Sequence, residues 1–256
     1  MRSARVAYDG AIHDAVPHLD GLQLADGRVL AEDAVVWLPP LAQVGTVIAL
    51  GLNYADHVQE LSKELTRTNQ DEPLVFLKTP GSLIGHRAHT RRPLDAGFMH
   101  YECELAVVIG RRARRVRAAD ALAHVQGYTV CNDYAIRDYL ENWYRPNLRV
   151  KNRDGATVLG PWLVSADEVP DPQRLSLRTT VDGRLVQQGT TANMIHSVAA
   201  LIEYLSDFMT LEPGDIILTG TPEGTVNCQA GEQVVCEIDG IGRLVNTLVA
   251  DAPAAS

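Results

Sequence analysis

The sequence predicts a strand-dominated α+β fold. Short apolar segments rich in β-branched residues recur along the chain with Gly, Pro or Asp-Gly between them, whereas helical periodicity is infrequent. Of the 256 residues, 46% are hydrophobic and 21% are charged, which is an ordinary soluble composition. A chain of this length can bury one sizeable core and carry a small additional unit.

Three Asp-Gly pairs divide the first forty residues into short strand-like runs. They are Asp9-Gly10, Asp20-Gly21 and Asp26-Gly27, and Asp-Gly supplies the positive φ angles that tight hairpins need. Pro39-Pro40 then interrupts regular structure. We therefore expect a small N-terminal β domain over residues 1–42 and a larger domain over residues 43–256.

The larger domain is expected to alternate buried strands with a few helices. A helix is expected to begin near Asn53, a candidate N-cap, and a second over Asp120–Val125. Apolar residues at three- and four-residue spacing predict a third helix from Ile195 to Phe208. The predicted strands are Val44–Leu50, Leu74–Lys78, Leu105–Ile109, Tyr128–Cys131, Asp215–Leu218, Gln233–Ile238 and Leu244–Val249.

Charge and composition exclude several classes of partner. The formal net charge of -9 argues against a nucleic-acid partner, which needs a basic surface. No apolar run approaches membrane-spanning length, so we expect no membrane partner, and we recognise no secretory signal. The four cysteines lack C-x-x-C spacing, which favours reduced thiols and a cytoplasmic location.

Two glutamates open an apolar strand. Glu102 and Glu104 are two residues apart, so they share one face of that strand and are drawn toward the interior by the apolar residues that follow. Asp133 lies in a similar position at the end of another apolar strand. Three carboxylates suit a hard divalent cation, although spacing alone leaves a pair of exposed strand-end glutamates as an open alternative.

Further polar residues are weaker candidates by themselves. His57 and Glu60 are three apart on the first predicted helix and could form a base with its orienting carboxylate, or simply face solvent. Lys78 closes an apolar strand and Lys151 lies in a polar run, and a surface position is the usual fate of lysine.

The ordered set of these segments resembles the fumarylacetoacetate hydrolase family over roughly residues 44–250. Each motif is modest by itself, but the order and spacing of the set are specific. The segments are Gly51-Leu52-Asn53-Tyr54 with His57 and Glu60, Phe76-Leu77-Lys78, His100 to Gly110, Gly127-Tyr128-Thr129, Asn132-Asp133 with Arg137-Asp138, Lys151, Leu159-Gly160-Pro161-Trp162 and Leu218-Thr219-Gly220-Thr221-Pro222.

The resemblance implies a fold, an assembly and a metal centre. The fold is a mixed β-roll, so residues 43–256 would form the catalytic domain, and the usual assembly is a homodimer. Glu102, Glu104 and Asp133 would bind Mg²⁺, with Mn²⁺ or Ca²⁺ as alternatives. Lys151 would lie beside the metal.

The resemblance also implies roles in binding and proton transfer. Arg137 and Thr221 would lie near the substrate carboxylate, with Lys78 and Arg149 as further cationic partners for a dianion. His57 and Glu60 would belong to a lid and handle protons.

Residues 139–154 narrow the resemblance to family members of homoprotocatechuate (4-hydroxyphenylacetate) degradation. The implied reactions are isomerisation of 2-hydroxyhepta-2,4-diene-1,7-dioate and decarboxylation of 5-oxopent-3-ene-1,2,5-tricarboxylate. The substrate would thus be a small di- or tricarboxylate with a 2-oxo or 2-hydroxy group. Two alternatives stay open: a C–C bond hydrolase of acylpyruvates, and a non-catalytic subunit that assembles with a paralogous partner.

Overall fold

The computed structural model of the protein describes residues 1–56, 72–140 and 147–251. Strands predominate in these ranges and the helices are short, which confirms the predicted strand-dominated α+β class. The helices are α1 (Ala118–Ala121), α2 (Leu148–Lys151) and α3 (Val198–Phe208). The strands are β1 (Arg2–Tyr8), β2 (Ala11–His18), β3 (Gly21–Leu24), β4 (Val29–Leu30), β5 (Val36–Leu38), β6 (Val47–Gly51), β7 (Leu74–Lys78), β8 (Leu83–Gly85), β9 (His89–Arg92), β10 (Met99–His100), β11 (Cys103–Ile109), β12 (Val125–Asp133), β13 (Ala135–Ile136), β14 (Thr157–Ser165), β15 (Ser176–Val181), β16 (Arg184–Thr190), β17 (Ile216–Leu218), β18 (Gln233–Ile238) and β19 (Gly242–Ala250).

Two large mixed sheets organise the described part of the chain. The larger has the strand order β4-β3-β2-β1-β14-β12-β11-β17-β6-β7, with β5 joined to β1 and β8 to β14. The smaller has the order β16-β15-β18-β19-β9. Buried side chains from both sheets and from α3 pack into one continuous core, as expected when a sheet buries one apolar face against another element.

Strands β11 and β12 lie in the middle of the larger sheet. Every residue of β11 is buried, because β12 and β17 flank it and apolar side chains cover both of its faces. The antiparallel register pairs Cys103 with Asn132 and Glu104 with Cys131. This register determines which polar side chains meet at the ends of the two strands.

The N-terminal strands form their own small apolar cluster. Val6, Leu22, Leu24 and Trp37 are buried together there. Strand β1 also pairs with β14, with Arg2 opposite Val164, so the N-terminal strands continue the larger sheet. The division after residue 42 stays a prediction.

The long helix begins later than its apolar periodicity predicted. It starts at Val198, where the Ser197 hydroxyl accepts a hydrogen bond of 3.2 Å from the Ala200 amide. The Ile195 amide instead donates to the carbonyl of Asn53. A serine N-cap therefore outweighs the apolar pattern three residues earlier.

The helix predicted over Asp120–Val125 was also displaced. Helix α1 ends at Ala121, a 3₁₀ turn follows, and Val125 already belongs to β12.

All four cysteines are buried free thiols. Within the described ranges, no helix has both the length and the apolarity needed to cross a membrane.

Candidate metal centre and active site

Three carboxylates meet where β11 and β12 pair. The register that sets Cys103 opposite Asn132 also sets Glu102 opposite Asp133, and the Asp133 amide donates to the Glu102 carbonyl at 2.9 Å. Glu104 follows Glu102 on the same face of the sheet. Ligand oxygens of the three acids lie within 4.8 Å of one another.

Burial and mutual repulsion make this cluster unfavourable without a positive charge. Glu104 and Asp133 are fully buried, and the side chain of Glu102 is 13% exposed. Burial raises the pKa of Glu104 well above its ordinary value, and the nearby charges of Asp133 and Glu102 raise this pKa further. A cation between the three acids would remove this repulsion.

Glu104 supplies a second sign of a cation site. Its Oε2 accepts a hydrogen bond of 2.6 Å from the Gly220 amide. Its Oε1 is buried and has no hydrogen-bond partner among the residues that the structure describes. A buried carboxylate oxygen without a donor is costly, and three carboxylates are the oxygen ligands that Mg²⁺ and Mn²⁺ accept. The residues therefore fit a divalent metal ion.

Lys151 brings a positive charge into contact with two of the three acids. It ends the short helix α2, and its Nζ lies 2.5 Å from Glu102 Oε2 and 2.9 Å from Asp133 Oδ2. Burial alone would raise the pKa of Glu102, but the charge and the hydrogen bond of Lys151 oppose this effect, and the pKa is lowered to about 2. Burial would likewise lower the pKa of Lys151, but the three carboxylates raise it above its ordinary value. Lys151 is therefore an ammonium ion.

Lys78 contacts this cluster from the protein interior and not from the cavity. Its side chain is completely buried, and its Nζ donates to Asp133 Oδ1 and to the carbonyl of Lys151. These bonds hold the aspartate and the end of α2 together. Lys78 was predicted to bind substrate, yet it is absent from the described lining of the cavity beside the acids.

That cavity has a volume of about 160 Å³. Its polar lining includes Glu102, Arg137, Lys151 and Thr221. Its apolar lining includes Leu50, Leu52, Leu74, Phe76, Ala135, Leu140 and Val150. A mostly apolar wall with a few convergent polar groups is the usual form of a small-molecule site.

Arg137 and Arg149 differ in position although both were predicted to bind substrate. Arg137 lines the cavity, and its Nε donates to Nε2 of the buried His100 at 3.0 Å. Arg149 is exposed, with its guanidinium 4.0 Å above the ring of Tyr139. The described cavity lining does not include Arg149.

Two predicted residues cannot be placed. His57 and Glu60 lie outside the described residues. Leu74 and Leu140 of the cavity wall lie close in sequence to the two internal undescribed segments, 57–71 and 141–146.

Two polar residues at this site were not predicted. His100 precedes the first acid by two positions and contacts Arg137, and Gln187 bonds to Thr221 from β16. The His-Tyr-Glu sequence could have suggested His100. Gln187 lies in an ordinary strand with no local signal.

A larger groove, of about 840 Å³, lies elsewhere, between the N-terminal strands and residues such as Gln126 and Pro213. None of the three clustered acids lines it. The smaller, charged cavity is therefore the candidate active site.

Comparison with known proteins identifies relatives over most of the chain. The chain is 54% identical over 240 residues to a 4-hydroxyphenylacetate degradation bifunctional isomerase/decarboxylase from Salmonella dublin. That match covers 91% of this chain and 54% of the relative, so the chain spans about half the length of that curated protein.

Solved structures share the fold. A 5-carboxymethyl-2-hydroxymuconate delta-isomerase from Mycobacterium smegmatis superposes with a TM-score of 0.83 at 35% identity, covering 99% of this chain and 100% of that one. A fumarylpyruvate hydrolase from Pseudomonas aeruginosa, in complex with Mn²⁺ and pyruvate, superposes with a TM-score of 0.74 at 29% identity, covering 87% and 94%.

A family model confirms the relationship that the ordered motifs predicted. The model of the fumarylacetoacetate hydrolase C-terminal domain matches residues 46–249. This chain belongs to the fumarylacetoacetate hydrolase family.

Proposed function

We propose that the protein uses a divalent metal ion to isomerise 2-hydroxyhepta-2,4-diene-1,7-dioate and to decarboxylate 5-oxopent-3-ene-1,2,5-tricarboxylate in 4-hydroxyphenylacetate degradation. One observation carries the proposal. Three carboxylates cluster at the end of a cavity lined by one of them, Glu102, together with Lys151 and Arg137, in a chain 54% identical to a bifunctional isomerase/decarboxylase of that pathway. Mg²⁺ is the proposed ion, with Mn²⁺ and Ca²⁺ as alternatives.

Both reactions pass through a conjugated enolate. In isomerisation, the 2-hydroxy proton leaves and a proton is added at C5, which gives 2-oxohept-3-ene-1,7-dioate. In decarboxylation, the bond to the departing carboxylate breaks, and its electron pair moves through the double bond to the oxygen of the ketone, which is the 2-oxo group when counted from its adjacent carboxylate. Neither reaction needs a nucleophilic side chain.

The acids and Lys151 would stabilise this enolate together. When bound by Glu102, Glu104 and Asp133, the divalent ion supplies Lewis-acid stabilisation of the negative charge that develops on the 2-oxo group. The Lys151 ammonium lies within 2.9 Å of both Glu102 and Asp133. It therefore adds a fixed positive charge beside the reacting oxygen.

Arg137 and Thr221 would bind and orient the substrate. Arg137 can pair with a substrate carboxylate through its planar guanidinium, and Thr221 lines the same cavity with a hydroxyl group. Apolar side chains such as Phe76 and Val150 border the charged groups. Their exclusion of water would strengthen each electrostatic contact.

His57 and Glu60 are proposed to move the proton. A histidine with a neighbouring carboxylate is a suitable general base near neutral pH. Replacement of His57 by Gln would slow proton addition at C5 while metal binding, measured by calorimetry, stays unchanged.

An ultraviolet assay with both pathway intermediates tests the proposed function. Purified protein should consume each substrate with added Mg²⁺ and lose activity in the presence of a chelator. Full activity after complete metal removal would refute the metal-dependent mechanism. Turnover of neither intermediate would refute the assigned reactions.

The alternative activity is hydrolysis of a C–C bond in an acylpyruvate. It is supported by the similarity to a fumarylpyruvate hydrolase at 29% identity. In that case the His57–Glu60 pair would activate a water molecule for attack on the distal carbonyl. Incubation with acetylpyruvate separates the two proposals, because release of pyruvate would favour hydrolysis.

The working assembly is proposed to be a homodimer in the cytoplasm, or a complex with a paralogous chain. The first possibility follows the resemblance described above. The second is suggested by the Salmonella dublin relative, of which this chain covers 54%. Light scattering of the purified chain, measured together with activity, distinguishes an active dimer from a chain that needs a partner.

A further inference from the structure

Gln187 connects the smaller sheet to the candidate active site. It lies on β16 and is buried, with a relative exposure of 2%. Its Nε2 donates to the Thr221 hydroxyl oxygen at 3.0 Å and to the Pro222 carbonyl at 2.8 Å. Its Oε1 accepts from the Thr179 hydroxyl at 2.8 Å.

The partners of Gln187 determine the orientation of its amide. The carbonyl oxygen of Pro222 can only accept, so the group that faces it must be the NH₂ of Gln187. The same NH₂ therefore donates to Thr221, and Oε1 faces Thr179. A buried amide with all of these bonds made resists rotation, because any other orientation leaves a buried polar atom unpaired.

This orientation has a consequence for Thr221. Its hydroxyl oxygen already accepts a hydrogen from Gln187, so its own hydrogen is directed elsewhere. Thr221 lines the cavity that also contains Arg137 and Lys151. A hydroxyl hydrogen directed into this cavity can donate to a substrate carboxylate.

We propose that Gln187 is a positioning residue that turns Thr221 into a hydrogen-bond donor for the substrate's carboxylate. This inference rests on the proposed function only for the choice of substrate. Gln187 itself is not part of the described cavity lining and acts through Thr221. Thr179, from β15, holds the amide in the required orientation.

A double-mutant cycle tests the proposal. The variants are Gln187→Met, Thr221→Val and the double variant, with Thr221→Ser as the matched control that retains a hydroxyl. We expect Gln187→Met to raise the KM for the dienedioate about tenfold, with kcat changed less than about threefold, since the lost bond holds both ground state and transition state. Thr221→Val should have the same effect, whereas Thr221→Ser, which keeps the hydroxyl donor, should raise the KM less than Thr221→Val does.

The decisive measurement is the effect of Gln187→Met in the Thr221→Val background. If Gln187 acts through the Thr221 hydroxyl, Gln187→Met raises the KM of the Thr221→Val variant by less than about twofold, because the hydrogen bond between the two side chains has already been removed. An additive effect would overturn the proposal, since it would show that Gln187 supports the site by packing alone. An unchanged KM in Gln187→Met would overturn it as well.

A binding measurement keeps this result separate from the proposed reactions. Calorimetric titration with pyruvate in the presence of Mg²⁺ reports on carboxylate binding without turnover. Inactivity of the wild type on the dienedioate refutes the proposed function. The role of Gln187 is refuted instead if Gln187→Met and Thr221→Val weaken pyruvate binding additively. Should Gln187→Met fail to fold, Thr179→Val frees the same amide from its other side. It is expected to weaken pyruvate binding in wild type and to have no effect when Thr221 is Val, and an equal effect in both backgrounds would contradict the proposal.

Discussion

Nε of Arg137 lies 3.0 Å from Nε2 of His100, and the imidazole is completely buried behind the guanidinium. The other ring nitrogen, Nδ1, lies 3.0 Å from the Tyr101 carbonyl oxygen. A carbonyl only accepts, so the hydrogen of neutral His100 is on Nδ1, and Nε2 accepts from Arg137. His100 thus holds Arg137 through Nε, and neither Nη takes part in this bond.

Replacement of His100 by Phe should therefore weaken substrate binding. The ring would stay beside Phe98, its present neighbour at 5.8 Å, but the acceptor for Arg137 would be lost. We expect the KM for the dienedioate to rise about tenfold, measured by ultraviolet kinetics. In an Arg137→Met background, the same substitution should have little further effect, and a large one would contradict the orienting role.

Replacement of Glu104 by Gln should separate metal binding from folding. In the absence of metal, the variant loses a carboxyl group whose ionisation is opposed by burial and by the charges of Asp133 and Glu102, so its melting temperature should equal or exceed that of wild type. Added Mg²⁺ should stabilise wild type, by about 2.7 kcal/mol at a concentration one hundred times Kd. The variant should gain nothing and should be almost inactive.

The control for this experiment is Glu32→Gln. Glu32 is a half-exposed acid that pairs with Arg87, away from the cluster. The Glu32→Gln substitution should leave the stabilisation by Mg²⁺ and the turnover rate unchanged. An equal stabilisation of Glu104→Gln by Mg²⁺ would exclude Glu104 as a ligand.

Replacement of Lys151 by Met should lower turnover without weakening metal binding. The ammonium occupies oxygens of Glu102 and Asp133 that a cation would use, so its loss should leave the affinity for Mg²⁺ equal or higher. Turnover should fall about a hundredfold or more, because the positive charge that we propose stabilises the enolate oxygen is lost. Calorimetry and kinetics on the same sample measure both quantities, and loss of metal binding would contradict this account.

The stability of the fold should depend on His86 at acidic pH. Burial, together with Arg87 and Arg243, lowers the pKa of His86 from its ordinary value of 6.5 to about 3. Its Nδ1 accepts a hydrogen bond from the Val245 amide at 3.0 Å, which a protonated ring cannot do. Between pH 6.5 and 3 the unfolded chain therefore binds a proton that the folded chain excludes, and the fold loses stability as the pH falls.

His86→Asn tests this dependence, since Asn offers an acceptor that does not titrate. The variant should be less stable than wild type at pH 7, because it loses the ring contact with Trp37. The difference in free energy of unfolding between wild type and variant should decrease toward pH 4, by at most about 1.4 kcal/mol per pH unit. Urea unfolding at pH 7, 5.5 and 4.5 measures this, and parallel curves would contradict it.

Alternation along a strand was enough to predict that Glu102 and Glu104 share a face. The apolar residues that follow them predicted their burial, and Asp133 was recognised at the end of a second apolar segment. These features are local, so they can be read from the sequence. The antiparallel register then brings all three acids to the same end of the paired strands.

The contacts around the acids could not be predicted in the same way. Gln187 and Thr221 are 34 residues apart, and His100 and Arg137 are 37 apart. Which side chains meet across such distances depends on how whole strands pair. The buried position of Lys78 likewise follows from the pairing of β7 with β6 and from the place of α2, neither of which leaves a local pattern.

Because the acid cluster depends on the register of β11 and β12, binding of a cation indicates that these two strands have paired correctly. A slip of one residue would turn Glu102 and Glu104 to the opposite face and separate them from Asp133. The cluster can therefore form only after these two central strands have paired correctly. A luminescent lanthanide, which also takes oxygen ligands, would time that single pairing event during refolding.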